Sequence, residues 1–338
     1  MAVTIKDVAR VAGVSHTTVS RALRDNPAIS PTTSETIKRL ASEMGYVPNS
    51  AARGLKTKRS NVLGVVVRRM DDPFFGQVVN GIEDVLQSHN YSLLLAASHR
   101  DFDKEKEIVR LMSERRVDGV IICSTLISRD YREQLARFGV PMVVINNQAA
   151  SDGDHSVSHD DTDGARQLAQ HLIEQGHRDI AYIGNANAGR TNDDRLLGYQ
   201  QALTEAGIVV RPDRIVSGAN GRAESGKMGA QQLLQLDLLP SAILCFNDMM
   251  ALGAMFALQR AGVQIPEQCS ITGFDNVALS AHVNPALTTF DQPKYELGRS
   301  AAQMMLRIVE RGQHDVSSEQ VRLRGKLTVR ESTIRPKT

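Results

Sequence analysis

Six polar side chains lie within seven consecutive positions near the amino terminus, a density that suits recognition of another molecule through hydrogen bonds. They are Ser15, His16, Thr17, Thr18, Ser20 and Arg21. Apolar residues at Val8, Val14, Val19 and Leu23 can form a core between two short helices. Ala9 is small where these helices would cross, and Gly13 tolerates the unusual backbone angles of a turn. The pattern predicts a helix-turn-helix over 5–23 whose second helix presents a polar face able to enter a DNA major groove.

Patterns that would support catalysis are weak in this sequence. The segment Gly184–Thr191 reads GNANAGRT and resembles a phosphate-binding loop, but that loop requires a slim lysine where Arg190 stands. His155 and His159 are four residues apart, yet the residues between them have the pattern of a strand or loop rather than of a helical metal site. No Ser-His-Asp or paired-carboxylate spacing is evident. We therefore expect no enzyme, no cofactor and no bound metal.

Composition suggests a globular protein of the cytoplasm. The 338 residues, 41% apolar and 23% charged, suggest two or three domains. No apolar run approaches the roughly 18 residues of a membrane span, and Met1–Asp7 is too charged for a secretory leader. The three cysteines, Cys123, Cys245 and Cys269, include no CxxC pair and stand in apolar contexts, as buried thiols do in a reducing cytosol.

Residues 1–60 are markedly basic. They carry ten lysines and arginines against four acids, a net charge of +6, whereas the whole chain is +2 and the remainder therefore −4. This asymmetry favours a polyanionic partner for the amino-terminal region. A third helix has a clear start at Ser30 and Pro31 and ends near Gly45. Residues 49–56 are compatible with a helix that is too short to be stable alone in water.

From Asn61 onward, short apolar runs that predict buried strands alternate with amphipathic stretches that predict helices. The predicted strands are Val62–Val67, Leu93–Ala96, Gly119–Ile122, Met142–Ile145, Ile180–Ile183 and Ala242–Cys245. The predicted helices are Phe74–Ser88, Asp103–Arg115, Arg129–Phe138, Thr162–Gln175, Arg195–Ala206, Glu224–Leu236 and Met249–Ala261. Two runs of this alternation predict two α/β subdomains, each with a parallel sheet covered on both faces.

These features, together with motifs along the whole chain, resemble the lac repressor (LacI/GalR) family of transcriptional regulators. In the amino-terminal region the resemblance lies in the helix-turn-helix and in Tyr46–Leu55. In the remainder it lies in Asp72–Phe75, Arg115–Val120, Gly176–Gly184, Arg195–Tyr199, Asn247–Gly253, Gly273–Asp275, Leu287–Pro293 and Arg330–Thr333. The motifs follow the family's order, which makes the resemblance specific although no single motif would be.

The resemblance implies an all-α helix-turn-helix domain at 1–47 and a hinge helix with its linker at 48–60. In the first, His16, Thr17 and Arg21 match base-reading positions, and the Arg21 guanidinium can pair with guanine O6 and N7. Contacts to the DNA backbone would come from Thr4, Ser15, Thr18, Ser20 and Asn26. In the hinge, DNA contacts would come from Asn49, Ala52 and Leu55, the last as a wedge between base steps in the minor groove. A flexible linker is the alternative for this segment.

For residues 61–338 the resemblance implies an effector-binding and dimerisation domain of periplasmic-binding-protein type I architecture, with two doubly wound parallel-sheet subdomains. The first would comprise 61–160 plus 291–321 and the second 161–290 plus 322–338, with chain crossings near Asp160, Phe290 and Arg322. A ligand would lie between them at the carboxyl ends of the strands. The pocket candidates are Phe74, Phe75, Asn146, Arg190, Arg195, Asn247, Asp275 and Gln292.

These side chains suit recognition of a polyol, because their polar groups pair with hydroxyls and a phenyl ring covers a C–H surface. Structural alternatives exist: Asp275 as a helix cap, Arg195 as a surface charge, the phenylalanines as core and Gln292 as part of a crossing strand. Asn146 stands where many sugar-responsive members have an acid, and residues 218–222 lack the aromatic that many carry. A stacked pyranose or purine is therefore less favoured, while Arg190 would favour an anionic sugar acid or phosphosugar.

The residues and the resemblance together predict a cytoplasmic, homodimeric repressor whose affinity for operator DNA is controlled by a small polar metabolite. That effector would be a sugar, a sugar derivative or a nucleoside-like molecule, and induction is favoured over corepression. Family members that tetramerise carry a leucine-heptad helix after this domain, and the sequence stops at Thr338 without one, which favours a dimer. Two alternatives are weaker. The basic head argues against a transport-type binding protein, and a sugar kinase would need a phosphate loop. No membrane partner is expected.

Overall fold

The computed structural model describes residues 3–46, 59–99, 101–123, 133–135, 137–146, 155–311 and 318–336. The chain divides into two compact units, Met1–Ser60 and Asn61–Thr338. The hinge helix expected at 49–56 and half of the predicted helix Arg129–Phe138 lie outside the described residues. Within the described ranges, no helix has the length and apolar character needed to cross a membrane.

The described part of the first unit is a cluster of short helices: α1 Ile5–Val11, α2 His16–Ala22 and α3 Pro31–Glu43. Gly13, with φ +67°, forms the turn between α1 and α2, a backbone conformation that glycine adopts without strain. Ser15 begins α2, and its Oγ accepts a hydrogen bond from the Thr18 amide at 3.0 Å. The shared core consists of Val8, Ala9, Val19, Ala22, Ile37 and Ala41, with Val14 and Leu23 only partly buried at its edge. The predicted helix-turn-helix is confirmed.

The second unit contains two six-stranded sheets. The strands of the first are β1 Val62–Val67, β2 Ser92–Ala97, β3 Gly119–Cys123, β4 Met142–Ile145, β5 Ser156–His159 and β11 Gln320–Leu323. They pair in the order β2-β1-β3-β4-β5-β11, parallel throughout, with Leu63 opposite Gly119 in the central pair. The helices that accompany this sheet are α4 Pro73–Ser88, α5 Phe102–Glu114 and α10 Lys294–Arg311.

The second sheet repeats this arrangement. Its strands are β6 Ile180–Asn185, β7 Ile215–Gly218, β8 Ala242–Cys245, β9 Ser270–Phe274, β10 Thr288–Asp291 and β12 Lys326–Thr328. They pair in the order β7-β6-β8-β9-β10-β12, and only the last pair is antiparallel. Its helices are α6 Asp161–Glu174, α7 Arg190–Glu205, α8 Ala223–Leu233 and α9 Asp248–Arg260. The expected architecture of two doubly wound parallel-sheet subdomains is confirmed.

Six strands, β5, β7, β9, β10, β11 and β12, are not among the predicted ones, and three further details differ from the sequence-based expectation. Helix α7 begins at Arg190 rather than Arg195, because the chain turns into the helix directly after Gly189, which has φ +58°. Helix α10 is not among the predicted helices, although buried residues such as Leu297, Ala301 and Met305 recur along it at helical spacing. The third crossing falls after Leu323 rather than at 321–322, because Arg322 still pairs with Ser158 in the first sheet.

Candidate functional site

A cleft between the two sheets of the second unit contains most of the predicted ligand residues. It encloses about 400 Å³, including its solvent-open part, at the carboxyl ends of the strands. Seven of the eight predicted residues line it: Phe74, Phe75, Asn146, Arg195, Asn247, Asp275 and Gln292. The remaining lining residues, which the sequence did not single out, are Arg68, Asp72, Thr191 and Phe246.

Arg190 is the predicted ligand residue that does not line the cleft, and this corrects the expectation. As the first residue of α7 it is half-exposed and pairs with Asp194, its Nε lying 3.3 Å from Oδ2. Its neighbour Thr191 lines the cleft instead. A helix start at Arg195, as the sequence predicts it, leaves both residues in a loop. The observed start, one residue after Gly189, assigns these neighbouring residues to different sides of α7.

Arg195 is held rigidly at the back of the cleft. Its Nε donates to Asp161 Oδ1 at 2.6 Å, and its Nη1 donates to the Phe246 carbonyl at 2.6 Å. The guanidinium carbon lies 4.6 Å from the ring centre of Phe246 and 3.8 Å from that of Phe274, so cation–π contacts add to the hydrogen bonds. The surface-charge alternative is wrong for this residue, because only 5% of its side chain is exposed.

Asp275 follows β9 and points its carboxyl into the same region. Gln292 Nε2 donates to Asp275 Oδ1, and Arg195 Nη1 lies 3.9 Å from that oxygen. Burial raises the pKa of the Asp275 carboxyl; Arg195 opposes this rise, and the Asp72 charge adds to it. A carboxyl that is poised in this way can accept hydrogen bonds when ionised and donate one when protonated.

Two buried acceptors in the lining have no partner among the described residues. They are Asn146 Oδ1 and Gln292 Oε1. An unpaired acceptor removed from water costs free energy, so such atoms are expected to meet a donor in the functional state. The orientation of the Gln292 side-chain amide follows from its nitrogen, because Nε2 donates a hydrogen bond to Asp275 and leaves Oε1 as the unpaired acceptor. The cleft therefore offers places for hydrogen-bond donors of a bound molecule.

Other lining residues also have structural tasks. Asn247 is the N-cap of α9: its Oδ1 accepts a hydrogen bond from the Met250 amide at 2.9 Å. Its Nδ2 donates to the Gly221 carbonyl at 3.0 Å. Asp72 is the N-cap of α4, and its Oδ1 accepts a hydrogen bond from the Phe74 amide at 3.1 Å. Arg68 Nη2 donates to Oδ2 of the same Asp72 at 3.2 Å. The Arg68–Asp72 pair could have been suspected from its position directly after β1, where ligand residues are common in α/β sheets.

The patterns considered for phosphate or metal binding have internal partners. In the segment 184–191, Asn185 Oδ1 accepts from the Asn187 amide at 3.2 Å, and Asn187 Nδ2 donates to the Ala219 carbonyl at 2.7 Å. His155 Nδ1 accepts from the Glu319 amide at 3.3 Å. His159 is buried at the end of β5, and its ring nitrogens make no hydrogen bond to a described residue, Nε2 lying 3.5 Å from Asp161 Oδ1. No group of three or more potential metal ligands occurs among the residues that the structure describes.

In the first unit, α2 presents the predicted polar face to solvent. His16, Thr17 and Arg21 are exposed, and their side chains make no hydrogen bond to a described residue. The predicted backbone-contact residues are engaged locally: Thr4 Oγ1 donates to Asp7 at 2.6 Å, and Asn26 Oδ1 accepts from the Ala28 amide at 3.0 Å. Ser15 Oγ lies 2.9 Å from Thr18 Oγ1, and Ser20 is partly buried.

The basic residues of this unit are not all neutralised. Among the described residues, Arg10 pairs with Asp7, Lys38 with Asp25 and Arg39 with Glu43. Lys6, Arg21 and Arg24 form none with the described residues, which leaves positive charge for a polyanion. The predicted hinge contacts Asn49, Ala52 and Leu55 lie outside the described residues.

Comparison with known proteins gives matches over almost the whole chain. Residues 4–49 match the model of bacterial regulatory proteins of the lacI family, and residues 60–327 match that of periplasmic binding proteins and the sugar binding domain of the LacI family. The HTH-type transcriptional repressor PurR of Vibrio campbellii (strain ATCC BAA-1116) is 32% identical over 313 residues, which cover 92% of this chain and 93% of that protein. PurR of Photobacterium profundum is equally similar, at 32% over the same shares.

Solved structures agree. The lac repressor dimer bound to operator and the anti-inducer ONPF has a TM-score of 0.89 at 27% identity, over 99% of this chain and 100% of that chain. The complex of the transcriptional regulator CelR with cellobiose has a TM-score of 0.75 at 28% identity, over 98% and 99%. A LacI family regulator from Enterococcus faecium with bound ribose has a TM-score of 0.72 at 30% identity, over 82% and 100%.

Fold, cleft and comparisons define a class: DNA-binding transcriptional repressors with a ligand-binding domain, which are not enzymes. The chain belongs to the LacI family of bacterial regulatory proteins.

Proposed function

We propose that the cleft binds a small neutral effector rich in hydroxyl groups, a sugar or sugar derivative, and that this ligand controls the affinity of the repressor for its operator. The observation that carries the proposal is the pair of unpaired acceptors, Asn146 Oδ1 and Gln292 Oε1, in a cleft that also holds Asp275 and Arg195. Hydroxyl groups of a sugar would supply the missing donors.

Charge balance supports a neutral ligand. Arg68 is paired with Asp72, and Arg195 is bonded to Asp161, so each cation of the lining already has an acid partner. Arg190, the one residue that favoured an anionic ligand, pairs with Asp194 away from the lining. Cellobiose and ribose, the ligands of two similar structures, are neutral sugars. An anion would therefore enter a cleft with no unpaired positive charge.

A nucleobase or nucleoside is the second candidate. Phe74, Phe75 and Phe246 bring three phenyl rings to the lining, and aromatic rings stack well on flat heterocycles. The exocyclic amino groups of a base could also donate hydrogen bonds to the side-chain oxygens of Asn146 and Gln292. Residues 218–222 contribute no aromatic ring, however, which leaves this candidate behind the sugar.

For DNA, we propose that His16, Thr17 and Arg21 contact base edges from the exposed face of α2. Thr4, Ser15, Thr18, Ser20 and Asn26 would contact phosphates or sugars and set the register. Asn49, Ala52 and Leu55 of the hinge would reach the minor groove, with Leu55 as the kinking wedge. Replacing Leu55 by alanine should then weaken specific binding far more than non-specific binding, and equal losses at matched salt contradict the wedge.

We further propose that the protein acts in the cytoplasm as a homodimer and that the effector induces, lowering operator affinity. A dimer presents two heads to a near-palindromic site whose halves lie about 34–36 Å apart. The effector can move the equilibrium only through different affinities for the two states, and a coupling of about 1–3 kcal/mol changes operator affinity roughly 5–150-fold. A sedimentation mass of one or four chains would contradict the dimer, and tighter operator binding with effector would contradict induction.

A thermal-shift panel tests the ligand class. It contains D-ribose, cellobiose, ribose 5-phosphate, gluconate, adenine and adenosine, and a ligand at 100 times its Kd should add about 2.7 kcal/mol to stability. The expected result is a rise in Tm with a neutral sugar that Gln292→Ala abolishes. Arg190→Ala is the matched control and should leave the rise intact. A rise only with the anionic compounds, or with no neutral sugar, overturns the proposed class.

A further inference from the structure

Lys294 is buried at the second crossing, where the chain passes from the second sheet to the first. It is the first residue of α10, and only 2% of its side chain is exposed. Lysine is almost never buried to this extent unless its ammonium group is paired, because removing an unpaired charge from water is very costly. The partners of this ammonium therefore indicate what the residue does.

All the partners belong to the cleft or to the chain beside it. The Nζ atom donates to the carbonyl of Asp275, to the carbonyl of Gln292 at 3.2 Å and to Asp291 Oδ1 at 3.2 Å. Asp275 and Gln292 both line the cleft, and their side chains are bonded to each other. Two of the three donors of this ammonium group thus hold the main chain of two cleft residues, and the third bonds the Asp291 carboxylate.

The turn that carries Asp275 needs such support. Asp275 and Asn276 both have positive φ, +117° and +52°, which is unfavourable for residues other than glycine. Lys294 bonds to the carbonyl of the first, and Arg330 Nη2 donates to the side-chain Oδ1 of the second at 2.6 Å. Without Lys294 the direction of the Asp275 carboxyl would be less well defined.

We propose that Lys294 is a positioning residue for the effector: it holds Asp275 and Gln292 in the arrangement that meets the ligand and ties this pair to the α10 helix of the first subdomain. The inference rests on the proposed function, since it gives Lys294 a part in the proposed effector site. If only the alkyl chain of Lys294 mattered, as filler at the crossing, its replacement by methionine would change neither the ionisation of Asp275 nor the affinity for the effector.

The charges around Asp275 make the effect of Lys294 measurable as a dependence of stability on pH. Its carboxyl is faced by Arg195 of α7, Asp72 at the start of α4 and Lys294 of α10, and it acts in turn on the buried Asp248 of α9. Asp291 of β10 lies against the Lys294 ammonium. Burial raises the pKa of Asp275, and Arg195 and then Lys294 oppose that rise. Removing the ammonium should therefore raise the pKa of Asp275 further.

Thermal unfolding of the full chain at pH 5 and pH 8 tests this directly, without a ligand. Lys294→Met should lower Tm at both pH values, and the loss should be about 2–4 °C larger at pH 8, where an ionised Asp275 is left without its ammonium partner. In an Asp275→Asn background the extra loss should shrink to the smaller part that comes from the buried Asp248, whose pKa Lys294 also lowers. An equal loss at both pH values, or an extra loss that is undiminished in the Asp275→Asn background, overturns the proposal. Lys294→Gln, which removes the charge but keeps two donors, serves if the methionine variant does not fold.

Arg214 is the matched control. It is also 2% exposed and makes two bonds to Asp179, but it precedes β7, at the end of the sheet opposite the cleft. Arg214→Met should lose the same Tm at both pH values, and a pH-dependent loss like that of Lys294→Met would contradict a specific effect on Asp275.

A second experiment measures the binding of D-ribose and cellobiose at pH 7. Lys294→Met should weaken the binding of whichever sugar binds the wild type by at least about tenfold, whereas Arg214→Met should leave that affinity unchanged. An unaltered sugar affinity in Lys294→Met overturns the positioning role. If neither sugar binds the wild type, the proposed ligand class fails, while the pH comparison still decides whether Lys294 controls Asp275.

Discussion

The Nε atom of Arg195 donates to Oδ1 of Asp161 across 2.6 Å, and this bond joins α7 to α6 behind the lining of the cleft. Asp161 is the first residue after the first crossing, whose Asp160 begins α6 by accepting from the Asp163 amide. The same Arg195 guanidinium lies 3.9 Å from Asp275. One side chain therefore connects a crossing of the chain to the carboxyl that we expect to bind the effector.

Replacing Asp161 by asparagine should strongly destabilise the second unit. The change leaves the Arg195 charge buried with only the more distant Asp275 as an acid neighbour, and removing one partner of a buried ion pair costs about 3–5 kcal/mol. Urea unfolding followed by circular dichroism measures the free energy of unfolding. Glu107→Gln, which breaks the exposed pair with Arg110, is the control and should leave the midpoint unchanged. Similar losses in both variants would contradict a special role for the Asp161–Arg195 bond.

The contacts of Arg195 also show which parts of the structure could be predicted from the sequence and which could not. The alternation of apolar runs predicted the two sheets and six of their strands, because continuous strands such as Gly119–Cys123 are buried on both faces. It did not predict β5, β7, β9, β10, β11 and β12. The resemblance was sufficient to bring seven ligand candidates to one cleft. The partners of Arg195 could not be predicted, since Asp161 and Phe246 are 34 and 51 residues away along the chain and meet it only in the folded sheet.

The errors have equally local causes. The sequence pattern places Gly189 and Arg190 in a possible phosphate loop, and this hides the start of α7 and the cleft residue Thr191. Helix α10 is missed although its burial pattern is helical, and with it the buried Lys294. Hydrophobic periodicity identifies where a helix lies, but it carries no information about a charged residue that is buried by tertiary contacts.

The stability of the protein should depend on pH through Asp275. Burial raises the pKa of this carboxyl above its ordinary value of 3.8. The folded state then holds its proton over a pH range in which the unfolded chain has released it, so stability falls as pH rises from about 4 through the raised pKa. Asp275→Asn cannot ionise and should gain stability relative to the wild type between pH 5 and pH 8. Denaturant midpoints at both pH values measure this, and a wild-type–variant difference that does not change with pH would contradict it.

Arg21 should contribute specificity rather than stability. It is exposed and without an ion pair in the described structure, so Arg21→Met should leave the unfolding of the head unchanged. If it reads a guanine, its loss should cost about 1–3 kcal/mol, roughly 5–150-fold in affinity, on a site selected from random DNA. Fluorescence anisotropy at fixed salt gives both specific and non-specific affinities. Arg39→Met removes an equal charge that is paired with Glu43, and a loss of specificity as large as that of Arg21→Met would contradict base reading.

Two glycines of α4 should respond in opposite ways to the same substitution. A Cβ atom added at Gly81 would lie 2.1 Å from the carbonyl oxygen of Tyr295, so α4 and α10 would have to move apart along their backbones. Gly81→Ala should therefore destabilise the second unit by about 1–3 kcal/mol, the usual cost of overpacking. At Gly76, five residues earlier in the same helix, an added Cβ meets no described atom within 4 Å. Gly76→Ala should stabilise by up to about 1 kcal/mol, because alanine favours the helix over glycine. Urea unfolding of both variants decides the matter: equal effects at the two positions would show that propensity, and not the close contact of α4 with α10, governs this helix.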